Sequence, residues 1–123
     1  MGPLQKKWLE ALRSGKYKQG GGMLRSQNDE FCCLGVACEV IGLEAVITDP
    51  SSDCHSYGAE RSGGYAPREV REALRLYSAS GFPHGASTPG LRPLADMNDE
   101  GQTFAEIADH LEKYEKAYFH GEA

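Results

Sequence analysis

The sequence has no apolar run approaching the roughly 20 residues that a bilayer-spanning helix needs. Its opening residues, Met1-Gly2-Pro3-Leu4-Gln5-Lys6-Lys7, lack the apolar stretch of a secretory leader. No membrane association is expected, and the expected location is the cytoplasm. Cysteine is sparse, with four in 123 residues. In a reducing compartment Cys32, Cys33, Cys38 and Cys54 are not expected to form structural disulfides. Histidine is equally sparse: His55, His84, His110 and His120 are scattered along the chain, and no nucleophile stands in a recognisable pattern with a base and an orienting acid. A basic excess is missing as well, since 13 Lys and Arg face 18 Asp and Glu for a net charge of −5. A protein that reads duplex nucleic acid gains affinity by neutralising phosphates, so a duplex is not the expected partner. No motif calls for a cofactor.

What the chain does contain is enough for one modest core. Its hydrophobic fraction is 40%, with one Trp, six Tyr and four Phe, and residues 1–123 are read as a single domain. The run from Phe31 to Gly42 is the densest apolar segment. Read as a helix, it places Phe31, Leu34, Cys38 and Ile41 on one face and Cys33, Val36, Ala37 and Val40 on the other, leaving Glu39 outward. A helix apolar nearly all round belongs in the interior.

Other elements follow from caps and periods. Pro3, the face Leu4, Trp8, Ala11 and Leu12, and the stop at Ser14-Gly15 define a first helix over residues 3–14. Gly15 to Gln27 reads as an ordered loop or short extended segment, with Asn28 or Asp29 capping the central helix, residues 29–42. Ala45 to Thr48 and His55 to Tyr57 flank a turn at Asp49-Pro50-Ser51-Ser52, the pattern of a small β-hairpin. Ala66-Pro67 opens a third helix with Val70, Ala73, Leu74 and Tyr77 on one face, ending by Gly81, and Arg68 with Glu72 forms an i,i+4 pair. Residues 81–93 are read as irregular. Thr103-Phe104-Ala105-Glu106 is a capping box, and Phe104, Ile107, Ala108, Leu111 and Tyr118 continue one helix through 118. Asp109 with Lys113 and Glu112 with Lys116 are expected pairs on its outer face. The predicted fold is a mainly helical α+β domain in which helices one, three and four pack around the central apolar helix.

Three blocks carry a resemblance: Trp8-Leu9-Glu10-Ala11-Leu12-Arg13-Ser14-Gly15-Lys16-Tyr17-Lys18-Gln19-Gly20, then Phe31-Cys32-Cys33-Leu34-Gly35-Val36, then Leu94-Ala95-Asp96-Met97-Asn98-Asp99-Glu100-Gly101 running into Phe104-Ala105-Glu106-Ile107-Ala108. These blocks resemble a family of small uncharacterised proteins common in tailed phages and prophages. The resemblance implies a phage or prophage setting and the host cytoplasm. It brings no reaction and no catalytic residues. By analogy with accessory phage proteins of this size, the expected role is non-enzymatic: binding that sequesters a signal nucleotide or inhibits a host immune component.

The sequence offers several candidates for chemistry. Zinc needs about four ligands converging on one point, but on a helix Cys32, Cys33 and Cys38 point roughly 100–140° apart, which suits buried packing better. Asp96 to Gly101 has the oxygen spacing of a calcium loop, yet its twelfth position is Ile107 instead of a bidentate Glu; Asn98 and Asp99 are read as bonding nearby backbone N–H groups ahead of the capped helix. The stretch from Arg13 to Arg25 combines cations, the glycine run Gly20 to Gly22 and Tyr17, the materials of an anion or nucleotide site, although its spacing fits neither a P-loop nor a dinucleotide fingerprint. Arg13, Lys16, Lys18 and Arg25 are therefore the residues expected to contact an anionic small molecule or a host protein. Asn98, Asp99 and Glu100 form a second polar patch. The alternative is a small enzyme or metal-binding protein using Cys54, His55 and the loop from Asp96 to Glu100. A homodimer is compatible with so small a domain.

Overall fold

Proline has no N–H to lose at the start of a helix, and Pro3 opens α1, Pro3–Arg13, in the computed structural model, which describes residues 1–47, 51, 53–84 and 91–123. Gly2 N–H donates to Gln5 Oε1 at 3.0 Å, closing the entry. The buried face of α1 carries Gln5, Trp8, Leu9 and Leu12. Trp8 is fully buried, and its Nε1–H donates to Cys33 O at 3.0 Å, so its one polar atom is satisfied inside the core.

The next pairing differs from the expected hairpin. β1, Lys18–Gln19, lies parallel to β2, Glu30–Phe31, in register Lys18 to Glu30 and Gln19 to Phe31. Of the predicted hairpin the described residues retain one antiparallel bridge, Val46 with Ser56, closed by N–H···O bonds of 2.9 and 2.7 Å. Its expected turn at 49–52 lies largely outside the described residues. Because β2 takes Glu30 and Phe31, the central helix begins later than Asn28 or Asp29: α2 is Cys33–Val40. Asp29 instead adopts φ 60° in a turn where its N–H donates to Ser26 O. The N-cap is Cys32, whose Sγ accepts the Gly35 N–H at 3.4 Å. Gly42, at φ 83°, ends the helix as its sequence position suggests.

α3, Arg68–Leu74, is shorter than predicted and stops at Arg75, which is left-handed at φ 57°; Tyr77 falls outside it. α4, Leu94–Asp99, occupies residues read as leading irregularly into the capped helix. Pro93 caps it, Leu94, Met97 and Asn98 form its buried face, and Gly101 at φ 94° follows its end. The capping box is present at α5, Phe104–Lys113: Thr103 Oγ1 accepts Glu106 N–H at 3.1 Å, and Thr103 N–H donates to Glu106 Oε1 at 2.9 Å. The predicted continuous helix breaks at Tyr114, φ −118° and ψ 37°, before α6, Glu115–Tyr118. The bend lets Tyr118 reach Arg92 and Phe119 pair with Leu76.

The buried side chains form one cluster, and the fold is the mainly helical α+β that patterning indicates. Every residue from Cys33 to Cys38 is buried. The arrangement around α2 is corrected, however. α1 is the element that packs against α2, α3 and α5, while α2 is an inner layer between α1 and α4. The reason is visible in α1, whose Trp8 and Gln5 reach opposite neighbours: Gln5 Nε2 donates to Leu74 O and Gly121 O at 2.9 and 2.8 Å. Among the described residues no helix is long and apolar enough to cross a membrane.

Candidate functional site

Two of the sequence-predicted patches come together, but on each other. Asn98 is buried on α4, where its Oδ1 accepts Cys33 N–H (3.2 Å) and Gln19 Nε2–H (3.0 Å), and its Nδ2 donates to Gly20 O (2.7 Å). Gln19 uses both ends of its amide too: Nε2 also donates to Gln102 O at 2.6 Å, and Oε1 accepts Phe104 N–H at 3.1 Å. Asp99 accepts Gly22 N–H at 3.0 Å. Asn98 and Asp99 thus do bond backbone N–H groups, but on segments remote in sequence instead of nearby. The glycine run is fastened to α4, and Gln19 before it also to the start of α5, and a Cβ at Gly21 would stand 3.0 Å from Asp99 Oδ1. This is an internal clamp whose donors and acceptors meet within the chain.

The predicted cations are mostly engaged as well. Arg13 takes Asp109 at 2.7 Å and Glu112 at 3.3 Å. These acids therefore close on α1, and the expected pairs with Lys113 and Lys116 do not form among the described residues. The hydrogen bond to Asp109 is the main reason that the Arg13 pKa rises despite burial. Lys18 pairs with Glu30 at 3.4 Å. Arg25 bonds Asp29 at 2.8 Å and stands 5.1 Å from the centre of the Phe31 ring. Burial pulls its pKa down, yet hydrogen bonds to Tyr57 and Asp29 leave it raised. Tyr57 in turn donates to Glu39 at 2.9 Å, and burial pushes its phenol pKa up. Glu100 pairs with Arg92. Lys16 lies 5.8 Å above Tyr17 and makes no ion pair among the described residues.

The thiols of α2 and its cap are inert interior groups. Burial raises Cys32 to about 11 and holds Cys33 and Cys38 up as well, so none is a thiolate at neutral pH. Cys54 bridges to Ser26, and His55 N–H donates to Arg25 O, so that pair sits on a short extended segment, whereas Asp96 to Glu100 belong to α4 and its end. Among the described residues no group of three or more His, Cys, Asp or Glu could hold a metal ion.

A different surface emerges where the end of α3 meets the C-terminal segment. Tyr77 is 41% exposed. His84 stacks on its ring, centroids 4.5 Å apart and planes 17° apart, and His120 meets it at 5.5 Å and 64°. Backbone bonds hold these rings in place: Tyr77 N–H to Tyr118 O at 3.2 Å, His84 N–H to Ala117 O at 2.7 Å and His120 N–H to Arg75 O at 2.8 Å. The left-handed Arg75 aims its carbonyl at His120, and its side chain runs along Gly121, where a Cβ would come within 3.0 Å of Cδ. Two depressions, of about 390 and 440 Å³, share Tyr77 and His120 in their linings. The first also touches Lys116 and Phe119, and the second Arg68, Arg71 and Arg75. Arg68 approaches Glu72 at 4.0 Å and Arg71 pairs with Glu60 at 3.3 Å, while Glu115 lies 3.1 Å from the Met1 nitrogen. Arg75 and Lys116 make no ion pair among the described residues.

A family model described as Domain of unknown function (DUF8296) matches residues 2–115. The chain belongs to this family. No curated protein and no solved structure matches it. The DUF8296 span takes in the whole clamp together with Arg75, Tyr77 and His84, and it stops before Lys116, Phe119 and His120. The Tyr77 surface is therefore assembled from both sides of that boundary. Sequence reasoning missed it because Tyr77 fits the apolar period of α3 and the histidines are far apart. The one local signal is Arg75, a long charged residue where a helix end favours glycine.

Proposed function

We propose that this chain is an accessory protein of phage or prophage type that acts by binding: in the host cytoplasm it captures an anionic partner and so neutralises a component of host immunity. The observation that supports this reading is the Tyr77, His84 and His120 cluster, half-open and flanked by Arg75 and Lys116 that no carboxylate of the described residues holds. Cations outside ion pairs attract anions, and the rings beside them add a flat apolar surface. The glycine run, in contrast, spends donors within the chain, Gly20 N–H on Phe31 O and Gly22 N–H on Asp99, and Arg13, Lys18 and Arg25 are occupied. Within this reading the anion-binding role passes from the Arg13 to Arg25 segment to the Tyr77 surface, with Lys16 the one cation of that segment outside an ion pair among the described residues.

The test is binding of inorganic pyrophosphate by calorimetry at low and moderate salt. The expected result is an affinity that falls with added salt, is lost in Arg75→Ala with Lys116→Ala, and survives Lys16→Ala with Lys18→Ala. Equal loss in both double variants, or no binding, overturns the assignment of the surface. The counter-defence role is read by plating: a phage restricted by its host should form more plaques when the host expresses the chain, and the Arg75, Lys116 double variant should remove that gain.

A further inference from the structure

Resting on the anion-binding reading, we infer that the Tyr77 surface takes a mononucleotide-type ligand, with a flat base against Tyr77 and His120 and its phosphate on Arg75, the arginine that stands outside an ion pair among the described residues. Three observations carry this. First, Tyr77 and His120 line both depressions, so a ligand laid against those rings borders both. Each alone is at the lower end of the ~300–1,000 Å³ of small-molecule sites. Second, their walls differ in chemistry. Tyr77 and His120 stand between the two; Arg75 on one side has no carboxylate among the described residues, whereas Arg68 and Arg71 are held by Glu72 and Glu60, and the carboxylates on the other side, Glu115 and Glu122, are held by the Met1 nitrogen. A bare anion has no use for the rings, and an uncharged aromatic has no use for the guanidinium groups; a base joined to a phosphate uses both.

Third, the walls are anchored before any ligand arrives. Leu76 bridges to Phe119, Tyr77 bonds Tyr118, and His120 bonds Arg75, so the rings and the arginine hang from paired backbone. Pre-set walls lower the ordering cost of binding. The arrangement also limits the ligand. His84 covers one face of the Tyr77 ring and His120 meets the ring at 64°, so the cluster lacks the row of parallel platforms that tracks a single strand. A small nucleotide is favoured over an oligonucleotide on that ground.

The experiment titrates the protein with AMP, adenosine, ribose 5-phosphate and pyrophosphate, reading affinity by calorimetry and the Tyr77, His84 and His120 ring signals by NMR. AMP is expected to bind at least about 10-fold tighter than adenosine or ribose 5-phosphate, and to shift all three rings, as base stacking on an aromatic platform requires. Tyr77→Ala should bring AMP down to the level of ribose 5-phosphate and leave pyrophosphate unchanged, whereas Arg75→Ala should weaken AMP and pyrophosphate together. Tyr77→Leu, which keeps bulk and removes the ring, repeats the test should the alanine variant unfold. If AMP binds no better than ribose 5-phosphate while pyrophosphate still binds at Arg75, the nucleotide inference fails and anion binding stands. If neither binds, both fail. An adenylate oligonucleotide at least about 10-fold tighter than AMP overturns the single-base geometry.

Discussion

At the Gln19–Asn98 contact both side-chain amides use both ends on partners inside the chain, whereas around the half-exposed Tyr77 ring two cations have no such partners among the described residues. Both regions contain glycine, cations and aromatic rings, so composition does not distinguish them. Burial does. An orphaned buried amide costs more than a made hydrogen bond returns, so interior polar groups are driven to saturation. A surface cation meets water and can wait for a ligand. The clamp should therefore matter to stability and the Tyr77 surface to binding.

The comparison breaks most severely at Gly35, in the α2 turn that abuts the loop behind the clamp. A Cβ there would overlap the Leu24 backbone carbonyl, which also accepts Cys32 N–H. Gly35→Ala should cost more than about 4 kcal/mol in urea unfolding, or prevent folding. Asn98→Leu comes next: it strands Cys33 N–H and Gly20 O in the interior, for a loss of about 2–4 kcal/mol. A fully stable Asn98→Leu protein would show that the clamp is not structural.

Tyr118 gives a middle case. Its Oη donates to Arg92 O at 2.6 Å, which assigns the 2.6 Å contact with His110 Nε2 as donation from the imidazole. Tyr118→Phe should cost about 1–2 kcal/mol. Burial, aided by Lys113, lowers the His110 pKa. The unfolded chain therefore binds the proton more readily. The stability due to neutral His110 is complete above about pH 6.5 and declines as pH falls through the window below it. His110→Gln should flatten this part of the stability profile measured between pH 7.5 and 5.5. Tyr114, Tyr118, Lys113 and Arg92 are the groups around the ring.

At Arg75 the expected sign reverses. An L side chain at φ 57° is strained, so Arg75→Gly should gain about 1 kcal/mol in stability while losing anion affinity. A variant both less stable and still binding would contradict the division between the two regions. Tyr77→Leu should be the mildest, within about 0.5 kcal/mol of the parent in unfolding, with its effect confined to the ligand.

Elements governed by close neighbours were legible. Pro3 and the Trp8 face announce α1, Thr103 with Glu106 announces α5, and the apolar run from Cys33 to Cys38 is interior throughout. The start of α2 was misplaced because Glu30 and Phe31 answer to β1, and α4 was missed because Asp96 to Gly101 imitates a loop while Pro93, Leu94, Met97 and Gly101 spell a short helix. For the candidate site the residues of the clamp were legible as polar and grouped, but their role was inverted: what looks like a ligand cradle along the chain is a seam between Gln19 to Gly22 and Asn98 to Gln102.

By itself the sequence determined which segments coil, which residues are too apolar to stay in water, and the excess of acid over base. Those properties act over a turn or two of chain, through caps, side-chain period and hydration. Tertiary structure decided which polar groups are used up and which remain open. Gln19 meets Asn98 and Arg75 meets His120 only because packing brings distant segments together, and a donor's partner is chosen by whatever lies within about 3 Å of it in space.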